Sequence, residues 1–441
     1  MRDYVFLAFI IGLVPVILYR GWIGALAWTW IGLMNPHLYT WELSEFPFAQ
    51  VIGLAFVAGW LVARDKKMIP LTPGVVLTCL LLVFVTLKNP FAWNQDVAWD
   101  RWNQYFKVVV GALLVSTLIY SPRRVRWFLW VVMLSIGVFY GVKGGLFAIG
   151  TGGNFHVQGP TPSFIGGNTH LGVALLMVVP MFLAFMRDTN NKWLRLGAVG
   201  SLWLTMLAVL FTYSRGAWLG LAVVGALLFL QSRRKALILA VIVPIAMVGG
   251  AMIPEKLFDR AETITEYKED LSAMQRLQGW GVATNVALRH PLGSGFILDA
   301  TPVDLWMSYA NFHHPAFQRA NAAHSIYFQM LGDHGFGGLI LFLLVVFATF
   351  VTLVRVRACV RGDPDRAWLG NYATALMIGL AGYCVSGAFV SLAYFDLFYT
   401  FVVLAGILHR EAQSPATVTD REERKEMADG EARHGAHGIA A

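Results

Sequence analysis

Arg215, Arg276 and His324 stand out in a chain otherwise poor in charge. Arg215 lies in Tyr213-Ser214-Arg215-Gly216-Ala217, between two apolar runs. Its planar fork of donors suits a bidentate grip on phosphate, and its small neighbours leave room for a bulky diphosphate. An arginine at the mouth of a helix bundle equally snorkels to lipid phosphates, so both readings stand. Arg276 and Trp280 are four apart in 271–289, where Leu271, Met274, Leu277, Val282, Val286 and Ala287 give an amphipathic helical pattern. They therefore share one face, although a helix lying on the membrane with Arg276 at the headgroups explains the same spacing. His290-Pro291 stops that helix, and Gly293-Ser294-Gly295 makes a permissive turn whose N–H groups could line a binding site. Arg289 adjoins this motif and is a secondary candidate for substrate contact. Ser294 lacks the G-x-S-x-G setting of a hydrolase nucleophile.

His324 precedes Ser325 and a helical run entering the membrane. It reads either as a satisfied cap residue or as a general base, since neutral imidazole accepts protons near pH 7. Neighbouring arginines disfavour imidazolium and so favour the basic form. His313, His314 and His334 raise the question of zinc, but H-E-x-x-H and compact His/carboxylate clusters are missing, so no metal is expected. Lys256, Arg260, Lys268 and Arg319 add positive charge to the same polar stretch, offset by Glu255, Asp259, Glu262, Glu266, Glu269 and Asp270.

These residues need a scaffold, and composition says which kind. Charged residues make up 14% of 441 and hydrophobic ones 57%, against about a quarter charged in a soluble domain. The chain is thus read as an all-α integral membrane protein. Apolar runs fall near 4–19, 22–37, 47–63, 73–88, 106–120, 127–148, 168–186, 196–212, 217–231, 236–252, 335–354, 367–390 and 393–409. They are continuous, so they form helices rather than the alternating strands of an outer-membrane barrel. About twelve transmembrane helices are expected, with one early run short or folded back. Basic clusters at Arg64–Lys67, Arg123–Arg126, Arg187–Arg195, Arg233–Lys235 and Arg355–Arg366 alternate with the spans onto one side, the cytoplasm. This pattern explains the net charge of +8 better than nucleic-acid binding does. Alternation leaves 91–104, 150–167, Arg215 and the long polar segment outside. The Trp-rich stretch 91–104 is expected to be an interfacial helix, and 150–167 an external loop. Ala25-Leu26-Ala27 resembles a signal-peptidase site, but further apolar runs follow at once, so an uncleaved first span is expected. Cys79, Cys359 and Cys384 show neither metal nor disulfide spacing.

The ordered set Ser214-Arg215-Gly216-Ala217, Arg276-x-x-x-Trp280, His290-Pro291-Leu292-Gly293-x-Gly295, His324-Ser325 and Gly335-x-x-Gly338 resembles the bacterial O-antigen ligase and O-antigen polymerase superfamily. The chain departs from the common family pattern in having Ser325, not asparagine, after the histidine. Its N-terminal half is also similar to the O-glycosylation ligases associated with exosortase systems. Hydropathy and composition divide the chain into a helix bundle over 1–253, a periplasmic segment with amphipathic helices over 254–334, further spanning helices over 335–409 and a disordered cytoplasmic tail over 410–441. The resemblance implies that 254–334 is catalytic. It implies residence in the bacterial inner membrane and transfer of a glycan from undecaprenyl diphosphate to a hydroxyl of lipid A–core oligosaccharide. His324 would be the base and Arg215 and Arg276 the diphosphate ligands, with Ser214, Trp280, Arg289, His290, Gly293 and Gly295 around the substrates. A single displacement of this kind inverts the anomeric centre. No cofactor is expected, and two arginines would stand in for a metal. A polymerase or a protein O-oligosaccharyltransferase would use the same donor. A transporter of lipid-linked sugars would instead show repeated halves and broken helices at the midplane.

Overall fold

The computed structural model describes residues 2–65, 67–231, 235, 271–313 and 319–414. The apolar run 236–252, the charges between Lys256 and Asp270, His314, and the tail from 415 lie outside the described residues. Every other apolar run is a helix. In chain order these are α1 (Arg2–Tyr19), α2 (Gly21–Met34), α3 (Phe48–Val62), α4 (Pro73–Lys88), α5 (Gln95–Leu118) and α6 (Pro122–Met133). A π-helical stretch (Leu134–Val142) carries α6 into α7 (Lys143–Gly150). Then come α8 (Asn168–Asp188), α9 (Lys192–Leu210), α10 (Arg215–Gln231), α11 (Leu271–Arg289), the short α12 (Val303–Met307), α13 (Ile326–Cys359), α14 (Ala367–Gly387) and α15 (Asp396–Gln413). Among the described residues, six helical stretches are long and apolar enough to cross a membrane, while α2, α3 and α10 are apolar but shorter. No strand occurs among the described residues, where pairing is limited to isolated bridges of Gly159 with Gly166 and Gly167.

α8, α14 and α15 form the centre, apolar on all sides and buried over most of their length. Small residues let them close up. A Cβ at Gly379 would meet the Met177 carbonyl, and one at Gly382 would meet Leu176. α1 is peripheral and packs through Ile10 and Ile17 onto α2 and α3. Asp3 at its start accepts N–H bonds from Trp41 (2.6 Å) and Glu42 (2.8 Å), while Ile17 near its end lies against Gly24 and Gly59. The first three helices therefore alternate in direction; two are short and none folds back. The Trp-rich stretch differs from expectation. It is no separate interfacial helix, because Asn94 caps α5 and the helix runs unbroken from Gln95 to Leu118.

The two ends of the bundle differ in chemistry. At one end the basic clusters converge: Arg124 pairs with Asp65 (3.4 Å) and Arg126 with Asp188 (3.1 Å). Arg410 there donates to the carbonyls of Met68 and Ser116, and Glu411 accepts from the Ser121 N–H. The opposite end carries the turn before Arg215, the loops that follow α4, α7 and α14, and the segment from α11 to His324.

Candidate active site

The site rests on a break in α13. Gly335 takes φ 64° and ψ −166° inside the helix, a conformation that glycine adopts without steric cost. The break separates a first segment, 326–334, from the long apolar run beyond it. Carbonyls at the end of that first segment lose their helical N–H partners and must find others. The Gly332 carbonyl accepts from Ser294 N–H (3.0 Å) and the Asp333 carbonyl from Gly295 N–H (2.9 Å). The buried Lys88 ammonium donates to the carbonyls of Leu292 (2.5 Å) and Asp333, so a cation sits where the helix dipole is negative. The Asp333 carboxylate accepts from Leu298 N–H (2.9 Å) and Tyr394 O–H (2.8 Å), and Tyr394 also meets His334 Nε2 (2.9 Å).

This corrects the expectation for the glycine turn. Gly293 (φ 74°) and Gly295 (φ 100°) are needed for close backbone approach to residues 333–335 and to Ala92. The N–H groups of Ser294 and Gly295 are consumed by α13 and are not presented to a ligand. His290 is likewise engaged, through Nε2 to Tyr309 O–H (2.8 Å) and edge-on to Trp93, while Arg289 lies over the Tyr309 ring. His334, once a zinc candidate, belongs to the buried brace.

α11 presents its face to the segment that leads to His324. Gly279 packs under the Ala322 carbonyl. The Trp280 indole donates to the Ala323 carbonyl (2.7 Å) and stacks on Phe328 (4.9 Å between centroids). Trp280 thereby pins the residue next to His324. His324 itself has φ 45°, a left-handed conformation unfavourable for a side-chain-bearing residue. Ser325 is the N-cap position of α13, so His324 stands one residue outside the helix and is not its cap. Its imidazole keeps accessible surface, yet the protein around it displaces water and lowers its pKa from the ordinary 6.5. The positive charge of Arg276 adds to this, and the carboxylate of Asp299 opposes it. His324 is accordingly neutral at neutral pH and able to accept a proton.

Ser214 is the cap of α10. Its hydroxyl accepts from Ala217 N–H (3.2 Å), which leaves exposed Arg215 as the first helical residue. Gly216 lets that end approach Phe389, and Ser386 donates to its carbonyl (2.8 Å). The loop 151–167 clamps the same turn: Val157 N–H bonds the Phe211 carbonyl (2.9 Å), and Asn168 bonds that of Thr212 (2.8 Å).

The segment that leads to His324 borders a cavity of about 290 Å³. Its walls include Arg101 of α5, Ser163 and Phe164 of the clamping loop, His170 of α8, Asp299, and Asn321 to Ala323. Asp333 and Tyr394 of the buried brace line it as well. His324 and His170 are close enough for their charges to repel. Desolvation raises the pKa of Asp299, although its side chain still reaches water, and His324 and Arg101 pull it back down. Of the expected residues, the structure brings Arg276 and His324 into one electrostatic cluster. Neither these two nor Arg215, Arg289, His290 and Trp280 are among the cavity walls.

Arg101, His170, Asp299 and Lys88 were missed in the sequence. Arg101 was legible only as part of a Trp-rich stretch, and His170 sits at the start of an apolar run. Lys88 had one available signal: it is a lone cation at the end of a membrane-length run, where an ionisable side chain is costly.

Residues 200–343 match the family model described as O-Antigen ligase. The match spans Arg215, Arg276, His290, His324 and Gly335. Residues 1–190 match a family of unknown function, DUF5935. No curated protein matches the chain.

Proposed function

From the premise that this chain carries an O-antigen ligase domain over residues 200–343, we propose that it transfers a glycan from undecaprenyl diphosphate to a hydroxyl of lipid A–core oligosaccharide. The observation that carries this reading is the cluster of charged groups around His324. A histidine kept neutral by its surroundings stands beside Arg276 and Asp299, with Arg215 on the same end of the bundle. In the reaction the acceptor oxygen attacks the anomeric carbon of the donor sugar as the bond from that carbon to the diphosphate oxygen breaks. His324 takes the hydroxyl proton. The diphosphate leaves with its negative charge held by the guanidinium groups of Arg215 and Arg276, so no metal is required. One displacement inverts the anomeric centre.

The active end would face the periplasm of the inner membrane. The gathering of basic clusters at the opposite end supports this, because loops rich in Lys and Arg stay in the cytoplasm.

The test is transfer by purified full-length protein in nanodiscs, from undecaprenyl-diphosphate glycan to lipid A–core, with wild type beside His324→Ala. Transfer by wild type that the folded variant loses supports ligase and base together. Transfer by both removes His324 from the base role. Elongation of the lipid-linked glycan, with nothing added to lipid A–core, refutes the ligase in favour of a polymerase.

A further inference from the structure

The cavity bordered by the segment that leads to His324 differs in chemistry from the arginines outside it. A lipid diphosphate carries several negative charges and calls for concentrated cations, yet Arg215 and Arg276 are outside the lining. The lining itself carries Arg101 and His170 together with two carboxylates, Asp299 and the buried Asp333, and so holds no concentration of positive charge. At about 290 Å³ the space is at the small end for ligand sites, enough for one compact ring and too small for an oligosaccharide or a prenyl chain.

Its polar groups are part-spent in a way that leaves both donors and acceptors. Gln329 uses Oε1 to accept from Ala393 N–H (3.0 Å), which leaves its amide N–H groups as donors. Asn321 uses its amide N–H toward Gln278 Oε1 (3.4 Å), which leaves its own oxygen as an acceptor. Phe164 and Phe328 supply apolar faces. Flat apolar surfaces combined with a carboxylate and amides match a pyranose, which has C–H faces and an equatorial girdle of hydroxyls that both donate and accept. The wall bearing Asp299 is rigidly held: the N–H of the preceding residue, Leu298, bonds buried Asp333, which Tyr394 also bonds and Lys88 faces.

We propose that this cavity is the acceptor subsite and holds a single neutral pyranose, with Asp299 accepting from its hydroxyls and the attacking hydroxyl turned toward His324. The inference rests on the glycosyl-transfer reading for its chemistry, but binding can be measured without turnover. The attacking hydroxyl then reaches the base from the cavity, while the diphosphate stays with Arg215 and Arg276 outside it.

The test measures binding of delipidated core oligosaccharide to full-length protein in nanodiscs, with no donor present. Wild type is compared with Asp299→Asn, which keeps the shape and removes the charge, and with Ser391→Phe, which fills the cavity from the α14–α15 loop. At least tenfold weaker core binding in both variants is expected, with affinity for undecaprenyl-diphosphate glycan changed less than twofold. Core binding unchanged in the variants, or undetectable in wild type, overturns the subsite. Loss of donor affinity instead overturns it in favour of a donor site. The wild-type transfer assay described above is run in parallel. Transfer without variant effects on core binding sinks only this inference, whereas the polymerase outcome sinks the reading beneath it.

Discussion

Replacing Lys88 with Met isolates the brace beneath the candidate site. Methionine keeps the length of the side chain and removes the ammonium. The Leu292 and Asp333 carbonyls lose a charge-assisted donor, and Asp333, itself fully enclosed, loses its facing cation. Each of the two carbonyls loses a charge-assisted bond worth about 1.5–3 kcal/mol. Unfolding entropy of about 2.1 cal/mol/K per residue makes roughly 0.9 kcal/mol/K for 441 residues. The expected fall in Tm is therefore about 3–6 °C, read by intrinsic tryptophan fluorescence in a single detergent. The double variant Lys88→Met/Asp333→Asn should recover part of the loss, since neither charge then remains buried. Asn at 333 still accepts from Leu298 N–H. A Lys88→Met protein that melts with wild type, or a double variant whose losses simply add, refutes the claim that these two groups are energetically coupled.

The pH profile tests the environment of His324. Activity needs the neutral imidazole, so it is lost as pH falls through the depressed pKa, and the acid limb should lie below pH 6.5. Arg276→Gln removes a positive neighbour and should move that limb upward, whereas Asp299→Asn removes a negative one and should move it downward; two shifts in the same direction would refute the assignment. Arg276→Ala should lower kcat by about 10²–10³-fold if its guanidinium stabilises the leaving diphosphate, and Michaelis–Menten kinetics at saturating acceptor measures this. Trp280→Phe keeps the stacking on Phe328 but removes the indole bond to the Ala323 carbonyl. It should cost about 1 kcal/mol of stability and lower kcat more than donor KM, as expected for a residue that positions the base. Gly335→Ala introduces a Cβ that collides with the Pro291 carbonyl at a left-handed φ, and should abolish accumulation of folded protein in the membrane.

Much of this was legible in one dimension. Length and apolarity of a run require a helix wherever water is absent, so the helices follow the hydropathy, and α11 follows its amphipathic spacing. Basic clusters share an end because alternation of spans forces it. Arg276, Trp280 and His324 were recognisable because each belongs to a short motif within one segment. What those motifs do was less legible. The glycine turn reads as a binding loop until the break at Gly335 supplies the carbonyls that consume its N–H groups. Ser214 and Ser325 read as site residues or neighbours until the helix starts identify them as cap positions. The cavity could not be read at all. Arg101, Ser163, His170, Asp299 and Tyr394 come from five separate stretches of chain and carry no shared spacing. Lys88 meets carbonyls 204 and 245 residues away. Periodicity and motif are local properties of a chain, set by backbone geometry over one or two turns. A cavity and a buried ammonium bonded to remote carbonyls are created only when distant helices close on one another, and there tertiary packing alone decides which groups meet.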